Sequence, residues 1–250
     1  MRSASIVLFA NGEIGARTIS IAIDYNPRLV GGLVSLPDNE PCLRLARDHS
    51  IPYVIYDVNR PDETAEQIRS LNGNIFLLAW WPLILPRKFL TLGQSITLNL
   101  HPSLLPFARG KDPNFWAIVE ENPFGVSIHH VTAEIDAGDV AFQREIAYTW
   151  EDTGETIYQR AIAAMIELFR DSYVRIANFD IPRHPQALAS GTYHRRKDLD
   201  PRCLIDLDQR YTARELLNLF RARTFEPHPA CRFVDGTETY EVRVSIRRKR

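Results

Sequence analysis

Short apolar runs alternate with stretches of helical period through the first ~100 residues, the pattern of successive βαβ units and a mainly parallel sheet. The first strand is expected over residues 5–10. A helix follows Gly12, with Ile14, Thr18, Ile19 and Ala22 on one face, and Asn26-Pro27 breaks it. Residues 29–36 read as a second strand, 40–49 as a helix and 52–56 as a third strand. Pro61-Asp62-Glu63 then opens a helix whose acidic first turn complements the helix dipole. Residues 75–79 are an unbroken apolar run, as expected of a strand covered on both faces, and 96–100 read as the next strand.

After a proline-rich loop the pattern predicts a short helix over 114–119 and two strands, 125–131 and 140–147, bridged by a polar turn. A long amphipathic helix runs to about residue 176, with Ile157, Ala161, Ala164, Leu168 and Phe169 on its buried stripe. Beyond Asn178 the periodicity gives way to Pro182, Pro185, Gly191 and a run of charge. A boundary is therefore expected there, with a core domain over 1–178 and a C-terminal α+β region over 179–250. That region is predicted to hold a helix over 212–223 and a hairpin turning at Asp235-Gly236. The fold class is α/β.

Composition narrows the function classes. With 45% apolar and 24% charged residues, the 250-residue chain can bury one substantial core and carry an appendage. Thirty basic against thirty-one acidic side chains leave a net charge of −1. No global field then favours nucleic acid or an anionic membrane, and any anionic ligand must be met locally. Cys42, Cys203 and Cys231 are few and far apart, which fits reduced thiols in a cytoplasmic protein rather than a disulfide framework or a metal site. Neither a leader nor a membrane-spanning run is expected.

The chemistry concentrates in two segments. In Thr97-Leu98-Asn99-Leu100-His101-Pro102, residues two apart on a strand share a face, so Asn99 and His101 project together before Pro102 stops the strand. Ligands of open α/β sheets bind at that carboxyl edge. The second segment, Glu134-Ile135-Asp136-Ala137-Gly138-Asp139, is an acidic turn suited to a loop beside a ligand.

Together these stretches resemble the catalytic core of the formyltransferases that use 10-formyltetrahydrofolate. The matching text is Asn99-Leu100-His101-Pro102-Ser103-Leu104-Leu105-Pro106, Arg109-Gly110, Gly125-Val126-Ser127-Ile128-His129 and Asp136-Ala137-Gly138-Asp139-Val140. The resemblance spans about residues 5–176 and implies a Rossmann-like core. By it, Asn99, His101 and Asp136 are the catalytic residues. Asp139 is the alternative acid, and Asp136 is preferred because it matches the family's position before a small residue and glycine.

The resemblance also implies that the apolar loop Trp80-Trp81-Pro82-Leu83-Ile84 meets the pterin of the donor, largely through backbone hydrogen bonds. Trp80, Trp81, Leu83 and Ile84 are the expected contacts, although the tryptophans are equally suited to a core. The first βα turn, with Asn11 and Gly12, would face the acceptor. A dinucleotide-binding reading of that turn lacks the first glycine of the fingerprint and leaves Asn99 and His101 unexplained.

The segment 191–199 resembles one that follows the core in sugar-nucleotide N-formyltransferases. Its Tyr193, Arg196 and Lys197, with Lys111, are candidates to meet a diphosphate. The expected acceptor is a nucleotide-linked amino sugar, with 4-amino-4,6-dideoxyhexose of a surface polysaccharide as the specific expectation. Methionyl-tRNA, glycinamide ribonucleotide and a non-catalytic folate-binding role are the alternatives. A homodimer is expected through the closing hairpin.

Overall fold

A computed structural model describes residues 3–86, 89 and 96–249. Its strands are β1 (Ile6–Ala10), β2 (Val30–Ser35), β3 (Tyr53–Ile55), β4 (Ile75–Ala79), β5 (Ile96–His101), β6 (Arg109–Gly110), β7 (Gly125–His130), β8 (Val140–Glu145), β9 (Tyr193–His194), β10 (Leu204–Ile205), β11 (Cys231–Asp235) and β12 (Glu238–Val242). The helices are α1 (Gly12–Tyr25), α2 (Glu40–Asp48), α3 (Pro61–Ser70), α4 (Pro113–Val119), α5 (Gly154–Ala177), α6 (Arg196–Arg202) and α7 (Ala213–Arg223).

The chain forms two compact units. The first gathers the described residues of Met1–His101 with Ser127–Phe142 and Met165–Pro185; the second gathers Pro102–Val126, Gln143–Ala164 and the described residues of Gln186–Arg250. In the second unit α4 packs on α7, and Tyr148 Oη donates to the carbonyls of Ala117 and Asn122, both at 2.9 Å.

The first unit is built on a seven-stranded sheet of order β3-β2-β1-β4-β5-β7-β8. Strands β1 to β5 are parallel, and β7 runs antiparallel to β5. As their unbroken apolar runs predict, β1 and β4 are wholly buried. On one face Val7, Phe9, Val34, Ile68, Phe76 and Leu78 make a shared core. Each such side chain contributes about 1.5–3 kcal/mol on burial. Because Ala10 pairs with Ala79, and Leu78 with Asn99, the carboxyl ends of β1, β4 and β5 form one edge. The loops leaving those three strands therefore start from a common edge.

In the second unit Arg221 is a buried clamp. Its Nη1 donates to the carbonyls of Thr149 and Asp152 at 2.8 and 3.1 Å, its Nε donates to Asn218, and the guanidinium lies over Trp150. β10, β11 and β12 make a small sheet, with Gly236 at φ 60° in the tight turn that Asp235-Gly236 predicts. Helix α6 and the strands β6 and β9 were not expected. Among the described residues no helix is long and apolar enough to cross a membrane.

Candidate active site

Asn99 and His101 stand near the end of β5, two residues apart as the alternation of a strand requires for a shared face. His101 is buried and Asn99 half-buried. Asp136 reaches them from the loop between β7 and β8. Its backbone is left-handed, φ 50°, a conformation that costs a non-glycine residue about 1 kcal/mol or more and recurs at functional sites. Gly138 lets the loop return: a Cβ there would collide with the His130 carbonyl.

The Asp136 carboxylate faces two imidazoles. Oδ2 lies 3.7 Å from His101 Nε2 and Oδ1 lies 3.4 Å from His129 Nε2. The rings of His101 and His129 meet nearly at right angles with centroids 6.2 Å apart. Catalytic contacts commonly stand long without substrate and tighten when it binds. Asp139, the alternative acid, instead pairs with Arg183 at 3.2 Å.

His129 belongs to this cluster although sequence reasoning gave it no role. Its Nε2 is 3.1 Å from Asn99 Nδ2 and its Nδ1 is 3.0 Å from the His130 carbonyl oxygen. The signal that could have found it is alternation. Ser127 and His129 share one face of β7, and antiparallel pairing sets them opposite His101 and Asn99. Asn39 is a second residue missed. Buried beyond β2, it accepts from Gly12 N–H at 3.1 Å and donates to the Ala10 carbonyl and to Ser35, bracing the first βα turn.

At the same edge, Asn11 N–H donates to the Ala79 carbonyl, so the first turn and the loop after β4 lie side by side. Trp80 has φ 61°, Leu83 is half-buried and Ile84 is 77% exposed. The ring of Trp81 takes the core position instead, packed edge-on against Phe9 and Tyr56 at 5.5 and 5.4 Å. The Trp81 ring thus takes the core role to which the loop tryptophans are equally suited.

The second unit brings together Lys111 and Tyr193. Strand β6 pairs with β9, Arg109 beside Tyr193, and Lys111 N–H donates to the His194 carbonyl. His194 stacks on Trp116 at 3.7 Å and pairs with Glu120 at 2.7 Å. The Arg109 guanidinium lies 5.8 Å from the centre of the Tyr193 ring. Arg196 and Lys197 are exposed in the first turn of α6.

An amide and an imidazole stand on one strand, with a carboxylate beside the imidazole, at the edge of a Rossmann-like sheet. The chain belongs to the formyl transferase family, whose profile matches residues 17–170. It is an N-formyltransferase, and the family draws its formyl group from 10-formyltetrahydrofolate. Residues 198–248 match the N-formyltransferase dimerization C-terminal domain.

Solved structures share the fold. A sugar N-formyltransferase from Shewanella is 18% identical with a TM-score of 0.82, covering 99% of both chains. A 4-N formyltransferase from Francisella tularensis is 21% identical with a TM-score of 0.79, covering 98% of this chain and 99% of that one. An N-formyltransferase from Helicobacter canadensis, in complex with folinic acid and dTDP-3-aminofucose, is 19% identical with a TM-score of 0.67, covering 89% and 81%.

Proposed function

We propose that this enzyme transfers the formyl group of 10-formyltetrahydrofolate to the primary amine of a nucleotide-linked amino sugar, a 4-amino-4,6-dideoxyhexose used in surface polysaccharide such as lipopolysaccharide O-antigen. The observation that carries the reading is the convergence of Asn99, His101 and Asp136 at one sheet edge. The folate supplies an activated formyl carbon. As an amine attacks that carbon, negative charge develops on the formyl oxygen, and fixed donors must meet it. The Asn99 amide and a ring N–H of His101 are placed as those donors. Removing one such donor typically costs about 10²–10³ in rate. Asp136 orients the His101 ring, raises its basicity and helps carry the proton that the amine gives up.

Trp80, Trp81, Leu83 and Ile84 after β4 are the residues assigned to the flat heteroaromatic donor, and exposed Ile84 with half-buried Leu83 supports the reading by offering apolar surface. Asn11 and Gly12 are assigned to the acceptor, and Lys111, Tyr193, Arg196 and Lys197 to a diphosphate. Exposed cations in a chain of net charge −1 support local capture of a diphosphate. Buried free thiols at all three cysteines support a reducing, cytoplasmic setting. The exposed small sheet and the dimerization-domain match support a homodimer.

The test is a competition assay with 10-formyltetrahydrofolate and thymidine-, uridine- and guanosine-linked amino sugars beside glycinamide ribonucleotide and methionyl-tRNA. Turnover of a nucleotide sugar alone is expected. Preference for either of the other two acceptors would overturn the acceptor class, and turnover of none would favour a folate-binding protein.

A further inference from the structure

The partner of Asn99 across the sheet decides which end of its amide faces the reaction. Strands β5 and β7 run antiparallel with Asn99 opposite His129. His129 is 2% exposed, so water does not compete for its ring. Its Nδ1 lies 3.0 Å from the His130 carbonyl oxygen, which can only accept, and so Nδ1 carries a hydrogen. In the neutral ring that leaves a lone pair on Nε2. Asn99 Nδ2 stands 3.1 Å from this atom. An amide oxygen there would oppose lone pair to lone pair, whereas the NH2 group donates. One amide hydrogen is thereby committed to His129, and the other remains to be aimed.

From this geometry we infer that His129 is a positioning residue: it locks the flip of the Asn99 amide so that N–H, not C=O, meets the formyl oxygen. The inference rests on the reading of Asn99 as an oxyanion donor. A flipped amide would turn its oxygen toward developing negative charge and convert stabilisation into repulsion. The Asp136 carboxylate stands close to the same atom, with Oδ1 3.4 Å from His129 Nε2 and Oδ2 3.7 Å from His101 Nε2. The competing arrangement is a doubly protonated His129 shared with Asp136. It would require the Asn99 oxygen to face Nε2–H.

The decisive experiment is a kinetic cycle on the full-length enzyme with His129→Phe, Asn99→Ala and the double variant. Phenylalanine keeps a ring and removes the acceptor. The expected H129F outcome is a loss of about 10²-fold in kcat, with KM for folate donor and acceptor within about twofold. The double variant should be no slower than N99A, because both changes disable one donor. Losses that multiply would overturn the inference, as would H129F at full rate. Full activity of N99A would instead sink the oxyanion reading itself. Should H129F not fold, long-range ¹⁵N–¹H correlation on ¹⁵N-histidine wild-type enzyme at about pH 8, where free imidazole is neutral, reads the tautomer directly. Hydrogen on Nδ1 alone supports the lock; hydrogen on Nε2 refutes it.

Discussion

Two adjacent histidines end β7 on opposite faces, and of the two it is His129 that lies beside Asn99 and Asp136. His130 points away: its buried ring donates Nε2–H to the Pro182 carbonyl at 3.0 Å, and burial holds the imidazole below its ordinary value. The Pro182 carbonyl and Asp139 oppose that shift, while Arg183 and His129 add to it. The folded protein thus binds the proton less readily than the unfolded chain. Stability from this residue is complete above the ordinary imidazole range, near pH 6.5, and is lost as pH falls through it toward the depressed value. We predict that the wild-type melting temperature falls more steeply between about pH 7 and 5 than that of His130→Gln, which keeps a donor for Pro182 but does not titrate there. Parallel melting curves for the two proteins would contradict this account.

Among the elements, regular period made the strands and long helices legible. β5 displayed Asn99 and His101 because alternation survives in six residues, and α5 its stripe because a long helix repeats it many times. Strand pairing was not legible: alternation says which residues share a face but not which neighbour lies opposite, so His129 passed as part of a motif. Two-residue strands such as β6 and β9 have no period at all. Helix α6 carries charge on most positions and Pro201 inside it, which reads as loop.

The small C-terminal sheet has its own consequence at this scale. Leu204 and Val234 fall on one face of β10 and β11 and remain 48% and 52% exposed. In the proposed homodimer these are the positions a second copy is expected to cover. Sedimentation at micromolar concentration should give about twice 28.7 kDa. The double variant Leu204→Asp, Val234→Asp should sediment as a monomer. A monomeric wild-type protein would rule the dimer out.

For the whole molecule, the proposed function asks a chain with no charge bias to recognise an anionic substrate with a few placed cations and to do its chemistry with a few placed dipoles. Its buried apolar strands fix one sheet edge, and that edge holds Asn99, His101 and the first turn in register. That edge, with Asn99 and His101 on one face of its strand, was legible in the sequence pattern, whereas Asp136 was preferred over Asp139 only through the resemblance, because an acidic turn has no period to tell its carboxylates apart. The loop tryptophans could not be told apart, because an aromatic ring looks the same whether it will pack against Phe9 or meet a ligand. The catalytic assignment is tested most directly by single-turnover formyl transfer with Asn99→Ala and His101→Ala, each checked for an unchanged thermal melt. The account predicts a fall of about 10²-fold or more for each; transfer within a few-fold of wild type by either folded variant would contradict it.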